Sequence, residues 1–369
     1  MHQIYDIRPV MVSKAAQAAL AQKAAAEKAK TASARASVTN TKYLAHAERK
    51  IAVIKKDSQY FDDEDLEVMP KFELDELTLG RVLGKGGFGT VKEIKMIQCT
   101  ATAEGNPDAG SPSDGEQEQQ DKKFIADHCI REGGDARYAI KALSPEIKSD
   151  SDKFLQGVID MSVETMFLSV VEHPHIIKMR GLGACGMTNP DYFIVLDRLY
   201  DTLEARIPKW KLETKKANSV MNKMKKKSTE KNMEILATKL GYACDLMGAI
   251  EYLHKKGIIY RGLKPENVGF NVRDDIVLFD FGLAREVLDK DKLTEHTWKM
   301  TGETGSLRYM APEVAKDTPY GEFLSSSCFG VVTFLLIILC LYRSTKLQCN
   351  PSQDIVPMFI RLVSCYGKC

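Results

Sequence analysis

The chain has 369 residues, 44% hydrophobic and 28% charged, which allows one or two sizeable cores and excludes a fibrous or wholly disordered composition. Its net charge of +2 hides uneven blocks: 11 basic against 4 acidic side chains over residues 1–60, 6 acidic and none basic over 98–121, and 9 Lys against 2 Glu over 209–231. Nine cysteines, four scattered singly (Cys99, Cys129, Cys185, Cys244) and five in the last 42 residues, do not make a secreted disulfide framework, and Cys365 and Cys369 lack the neighbours a zinc site needs.

Residues 13–37 are rich in Ala and Lys, good helix formers, but lack the large apolar side chains of a core face. With the acidic patch Asp62-Asp63-Glu64-Asp65 they make residues 1–71 an extension, expected to be disordered or an exposed helix. An organelle transit peptide is the alternative, weakened by Asp6 and Glu27, and no apolar stretch after Met1 suggests a secretory signal.

From Phe72 the texture turns to short apolar runs. Leu77 to Leu83 reads as a strand entering Gly84-Lys85-Gly86-Gly87-Phe88-Gly89-Thr90-Val91, a G-x-G-x-x-G pattern. Glycines suit a turn that brings bare backbone close to phosphates. A dinucleotide fold would follow them with a helix, whereas Val91 to Ile97 alternates as a strand does. Residues 98–136, rich in Gly, Asp and Gln, read as a solvated insertion. Arg137-Tyr138-Ala139-Ile140-Lys141 is the next strand, and the helix after it carries Glu164, with Leu168 one turn on facing the core. Glu172 lies too near Pro174 to share Glu164's role.

Asp191 to Leu196 is an apolar strand leading into Asp197-Arg198-Leu199. Residues 209–231 form a second insertion, expected as a solvated loop between helices; without interleaved aromatics it does not suit single-stranded nucleic acid. Apolar residues three and four apart from Ile235 to Lys255 predict a helix that delivers the chain to Tyr260-Arg261-Gly262-Leu263-Lys264-Pro265-Glu266-Asn267. The apolar Val277-Leu278-Phe279 precedes Asp280-Phe281-Gly282, and Gly305 to Glu313 closes a segment containing Thr294, Thr297, Thr301, Thr304 and Ser306.

In this order the motifs resemble the eukaryotic protein kinase superfamily, Ser/Thr type, nearest the tyrosine-kinase-like group, over Phe72 to about Gly321. The resemblance implies an α+β, two-lobed kinase fold, with a β-rich small lobe and a mainly helical, incomplete large lobe over 72–369. It implies ATP and Mg²⁺ as cofactors and a protein Ser/Thr substrate or partner. Leu83, Gly84, Lys85, Gly86, Gly87, Phe88, Gly89, Thr90 and Val91 would cover the nucleotide, and Asp197 and Leu199 would meet its base, behind which Leu196 limits the pocket. Lys141 and Glu164 would set the phosphates, Asn267 and Asp280 would hold Mg²⁺, and Lys264 would contact the transferring phosphate. A phosphate on Thr301 or Thr304 would pair with Arg261.

One position departs from the pattern. Where the family carries an Asp as catalytic base this chain has Gly262, so transfer is expected to be impaired or lost and the protein to be a pseudokinase; the alternative is a non-enzymatic scaffold or regulatory binding module on a kinase fold, with or without a membrane anchor. Ser325 likewise stands where the family has the Asp that anchors this loop. Past Gly321 the tail diverges, and the 20 uncharged residues Phe323–Tyr342 read as a buried lobe helix, a membrane segment or a tail foreign to the lobe. Nucleic acid is not expected as a partner, and the location is expected to be cytoplasmic, with membrane or organelle as alternatives.

Overall fold

The computed structural model describes residues 43–61, 66–99, 114–217, 227–294, 297–299, 301–302, 304–305 and 309. Ser325, Phe323–Tyr342 and the whole tail lie outside them. Among the described residues no helix is long and apolar enough to cross a membrane.

The first half of the described chain folds onto one six-stranded sheet in the order β1-β5-β6-β4-β3-β2. Its strands are β1 (Lys71–Phe72), β2 (Leu77–Lys85), β3 (Gly89–Ile97), β4 (Tyr138–Leu143), β5 (Met179–Gly183) and β6 (Phe193–Asp197). All pairs are antiparallel except β1 with β5. The period-2 alternation sorts side chains onto two faces. Ile140, Phe193 and Val195 enter a small outer core, whereas Ile194 and Leu196 enter the main core with the helices.

The outer core corrects the reading of residues 98–136 as solvated. Residues Asp114–Asp127 form helix α2, and Ile125 and Cys129 at its end seal the outer face against Phe72 and Ile94. Lys122 reaches the buried Glu76 at 2.7 Å and lies 5.3 Å from the Phe72 ring centroid. Residues 43–57 form helix α1, with Ala47 and Ile51 in the main core, so this part of the extension is not an exposed arm. In both helices burial rests on a few side chains in an otherwise polar or Ala-rich sequence.

Helix α3 (Ser151–Val170) packs beneath the sheet. Asp150 caps it by accepting from the Lys153 N–H at 3.2 Å, and it ends before His173-Pro174, where the proline disfavours further helix. The second half is built on helices α4 (Leu203–Ala217) and α5 (Lys227–Lys255). Both ends of the expected Lys-rich loop are thus helical, since Lys is a good helix former and Trp210, stacked 6.0 Å from Tyr242, anchors α4 to α5. Strands β7 (Asp201–Thr202), β9 (Val268–Phe270) and β10 (Ile276–Leu278) make a small sheet. β8 (Ile258–Ile259) pairs with β11 (Arg285–Glu286), and β12 (Lys292–Thr294) with β13 (Thr297–Trp298).

Candidate nucleotide and phosphotransfer site

The site is assembled around Lys141. Its strand, β4, is held between β3 and β6, with Lys141 opposite Val91 on one side and Ile194 on the other. Its ammonium donates to Glu164 Oε2 at 2.5 Å and to Asp280 Oδ1 at 3.0 Å. Glu164 stands among buried neighbours on α3 and is itself 2% exposed. Burial pulls the Lys141 pKa down, but the two carboxylates together outweigh it and hold it above the ordinary lysine value. The Lys141 charge lowers Asp280, which therefore stays ionised.

Asp280 takes a left-handed backbone, φ 68°, and so does Arg261 at 57°. Such conformations in non-glycine residues cost energy and concentrate at functional sites. Tyr260 ties the two segments together, and Asn267 braces the loop that carries Arg261. The buried Tyr260 hydroxyl donates to the Phe279 carbonyl and its ring meets Phe281 edge-on at 5.0 Å; Asn267 Nδ2 donates to the Gly262 carbonyl at 2.9 Å. Burial raises the Tyr260 phenol well above its ordinary pKa, so it is a permanent donor.

Above this centre, β2 and β3 make the hairpin that carries the glycines. Gly84 lies opposite Val91 and Lys85 opposite Thr90, and the Gly86 N–H donates to the Gly89 carbonyl at 2.8 Å. The hairpin is pinned to the end of β4 by a 2.7 Å bond between the Thr90 and Ser144 hydroxyls, with the Ser144 N–H donating to the Phe88 carbonyl. Positions 84 and 87 face open space. Asp197 ends β6 with its carboxylate held bidentately by Arg180 at 2.8 and 2.7 Å. Leu199 follows and lies over β9, its Cδ1 only 2.6 Å from where a Cβ on Gly269 would fall.

Arg261 leaves the loop on the opposite side. Its Nε donates to the Leu283 carbonyl at 2.7 Å and its Nη1 to the Thr301 hydroxyl at 2.6 Å, and Thr304 Oγ1 lies 3.3 Å from Thr301 Oγ1. The structure therefore brings Lys141, Glu164, Asn267 and Asp280 around one centre and sets Thr301 on Arg261. The charge of Lys264 also acts on Asp280, lowering its pKa.

Asp160 went unread in the sequence. It precedes Glu164 by one helical turn and so shares its face, which is the signal that could have found it. Gln156 Nε2 donates to it at 2.6 Å, yet burial, with the Asp280 charge adding, raises its pKa to about 6.

A carboxylate and an amide from two segments fit Mg²⁺, which takes few protein oxygens and fills its remaining positions with phosphate and water. Among the described residues no three His, Cys, Asp or Glu side chains cluster to hold a metal unaided. At Gly262 the backbone is present but no acid or base projects from it.

A family model described as protein kinase domain matches residues 126–349, which takes in the apolar run 323–342 and begins after the glycine turn. The chain is 28% identical over 269 residues to human ribosomal protein S6 kinase alpha-3, covering 72% of this chain and 27% of that protein. It is 29% identical over 211 residues to cAMP-dependent protein kinase type 3 of Saccharomyces cerevisiae (57% and 44%), and 28% over 200 residues to Serine/threonine-protein kinase STY46 of Arabidopsis thaliana (54% and 29%). The chain thus spans less than half the length of these relatives.

Proposed function

The chain belongs to the eukaryotic protein kinase superfamily, Ser/Thr type, and we propose that it binds Mg-ATP while transferring the γ-phosphate to protein Ser/Thr poorly or not at all. The observation that carries this reading is an asymmetry. Lys141 is bonded to both Glu164 and Asp280, as nucleotide and metal require, while the position that would receive the substrate proton is Gly262.

In this reading the glycine hairpin covers the phosphates and Lys141, oriented by Glu164, contacts them. Asp280 and Asn267 would hold Mg²⁺, which would neutralise charge on the phosphates. Lys264 faces the transferring group. The incoming hydroxyl has no base, and a general base is typically worth 10²–10⁴-fold. Phosphoryl transfer depends mostly on positioning and charge, so slow turnover is compatible with the site. Thr301 is the proposed phosphate acceptor in regulation, because its hydroxyl is already on the Arg261 guanidinium. The partner is a protein.

The test is a melting curve with saturating Mg-ATP, run beside Lys141→Met and beside an assay of transfer to a generic protein acceptor. Stabilisation of the unmodified chain, its loss in the variant and negligible transfer are expected. No shift with nucleotide would remove the ATP reading, and transfer at the rate of an intact kinase would remove the pseudokinase reading.

A further inference from the structure

Residues 43–61 take no part in the proposed nucleotide site, yet they join two elements that build it. After α1 the chain turns on Ser58. Its hydroxyl oxygen accepts from the N–H groups of Tyr60 and Phe61 at 3.0 and 3.2 Å and donates to Glu286 Oε2 at 2.5 Å. The Gln59 N–H donates to Glu286 Oε1 at 3.1 Å, so both oxygens of a carboxylate only 7% exposed are engaged by this turn. Glu286 lies on β11, in the stretch that follows Asp280. Asp57 pairs with Lys290 just beyond, and the Tyr60 hydroxyl donates to the Lys256 carbonyl at 2.7 Å.

The far side of the same turn reaches the small lobe. The Phe61 ring meets Phe167 edge-on, with centroids 5.0 Å apart and planes at 78°. Phe167 belongs to α3 and comes three residues after Glu164, and residues so spaced are neighbours along a helix. Phe61 thus bears on the turn of α3 that carries the partner of Lys141.

We infer that residues 43–61 are a positioning strap, which holds α3, and Glu164 with it, in register with the segment that starts at Asp280. The strap is bonded at one end to β11 and packed at the other on α3, so neither can move far without breaking the Ser58–Glu286 bonds or the Phe61–Phe167 contact. It is also separable. Its bonds to Glu286 come from one hydroxyl and one N–H of a single turn, and contacts so few can open locally without unfolding the domain. A docked strap keeps Glu164 on Lys141, and a released strap frees α3.

Hydrogen exchange of the full chain without nucleotide tests this independently of ATP. Phe61→Ala and Ser58→Ala are each expected to speed exchange about tenfold or more over residues 160–168 and 285–291, leaving α5 and β9 unchanged. Phe61→Tyr, which keeps the ring, should exchange as the unmodified chain does. If Phe61→Ala fails to fold, Ser58→Ala, which removes one hydroxyl, decides. Faster exchange confined to 43–61 overturns the inference, as does a uniform rise over the whole chain, which is ordinary loss of stability. The loss of Mg-ADP affinity expected in the same variants rests on the proposed function. If the unmodified chain binds no nucleotide while the local exchange pattern holds, that reading fails and the strap stands.

Discussion

Replacing Gly262 with Asp is the sharpest test of the proposed impairment of transfer. A Cβ built on Gly262 lies 3.4 Å from Asn267 Nδ2, 3.4 Å from Tyr260 Cζ and 3.5 Å from Tyr260 Cε1, ordinary contact distances. Its backbone is outside the left-handed region, so an L side chain is tolerated there. The position is buried, which costs a carboxylate hydration, and the Asn267 amide beside it offers partial compensation. Regaining a general base is worth 10²–10⁴-fold, about 3–5 kcal/mol at 1.36 kcal/mol per decade. Gly262→Asp should therefore raise initial rates of phosphate transfer by at least ~100-fold, with the Mg-ATP melting shift unchanged. Gly262→Asn, of the same shape but no basicity, should give no gain. An equal gain from Asn would show that position 262 acts by loop geometry rather than by proton transfer. An unmodified chain already as fast as the Asp variant would refute the reasoning outright.

Three further outcomes follow from the same geometry. Asp160 has a folded pKa of about 6 against 3.8 for a free carboxylate, so the folded chain binds the extra proton between these values and stability falls as pH rises from about 4 to 6. Asp160→Asn should melt higher at pH 7 by an amount on the order of 1–3 kcal/mol, converging with the unmodified chain near pH 4, and a gap that widens on acidification would contradict this. Lys122→Ala takes from Glu76 a cation 2.7 Å away and should destabilise by about 2–4 kcal/mol in urea titrations, whereas Lys122→Met with Glu76→Gln should cost clearly less. Arg261→Ala removes the bonds to the Leu283 carbonyl and Thr301 hydroxyl, and limited proteolysis should then cut at Thr301–Gly302 several-fold faster while β4 and α3 stay protected.

The parts of this fold that the sequence announced are those where chemistry dictates spacing. Lys141 on a strand after a glycine turn, Glu164 on the following helix and Asp280 behind three apolar residues are separated by up to 139 positions, and they meet within 3.0 Å. What stayed illegible depends on few side chains in unpromising surroundings. Helix α2 is rich in Gln, Glu and Lys, and only Ile125 within it and Cys129 beyond it tell that it covers the sheet. The strap is anchored by Ala47, Ile51, Ser58 and Phe61, none of which makes a periodic pattern long enough to signal a core face. Asp160 was in plain view, but its raised pKa comes from tertiary burial beside Asp280, which no local pattern records.

Two glycines near the loop separate structural need from chemical loss. Gly305 has φ +109°, and a Cβ there would lie 2.8 Å from the Arg261 carbonyl, so the backbone itself excludes a side chain. Gly262 has no such constraint, for its Cβ site is open to ordinary contact. The fold therefore does not require glycine where the base would stand, and the surrounding contacts are kept without it. Tyr260 still bonds the Phe279 carbonyl, Asn267 still bonds the Gly262 carbonyl, and Lys141 still bridges Glu164 and Asp280. Burial and the Asp280 charge raise both Asp160 and Glu164, an electrostatic cost that the Lys141 charge partly offsets. Glycine at position 262 is therefore not demanded by the backbone, and a side chain there is compatible with every one of these contacts.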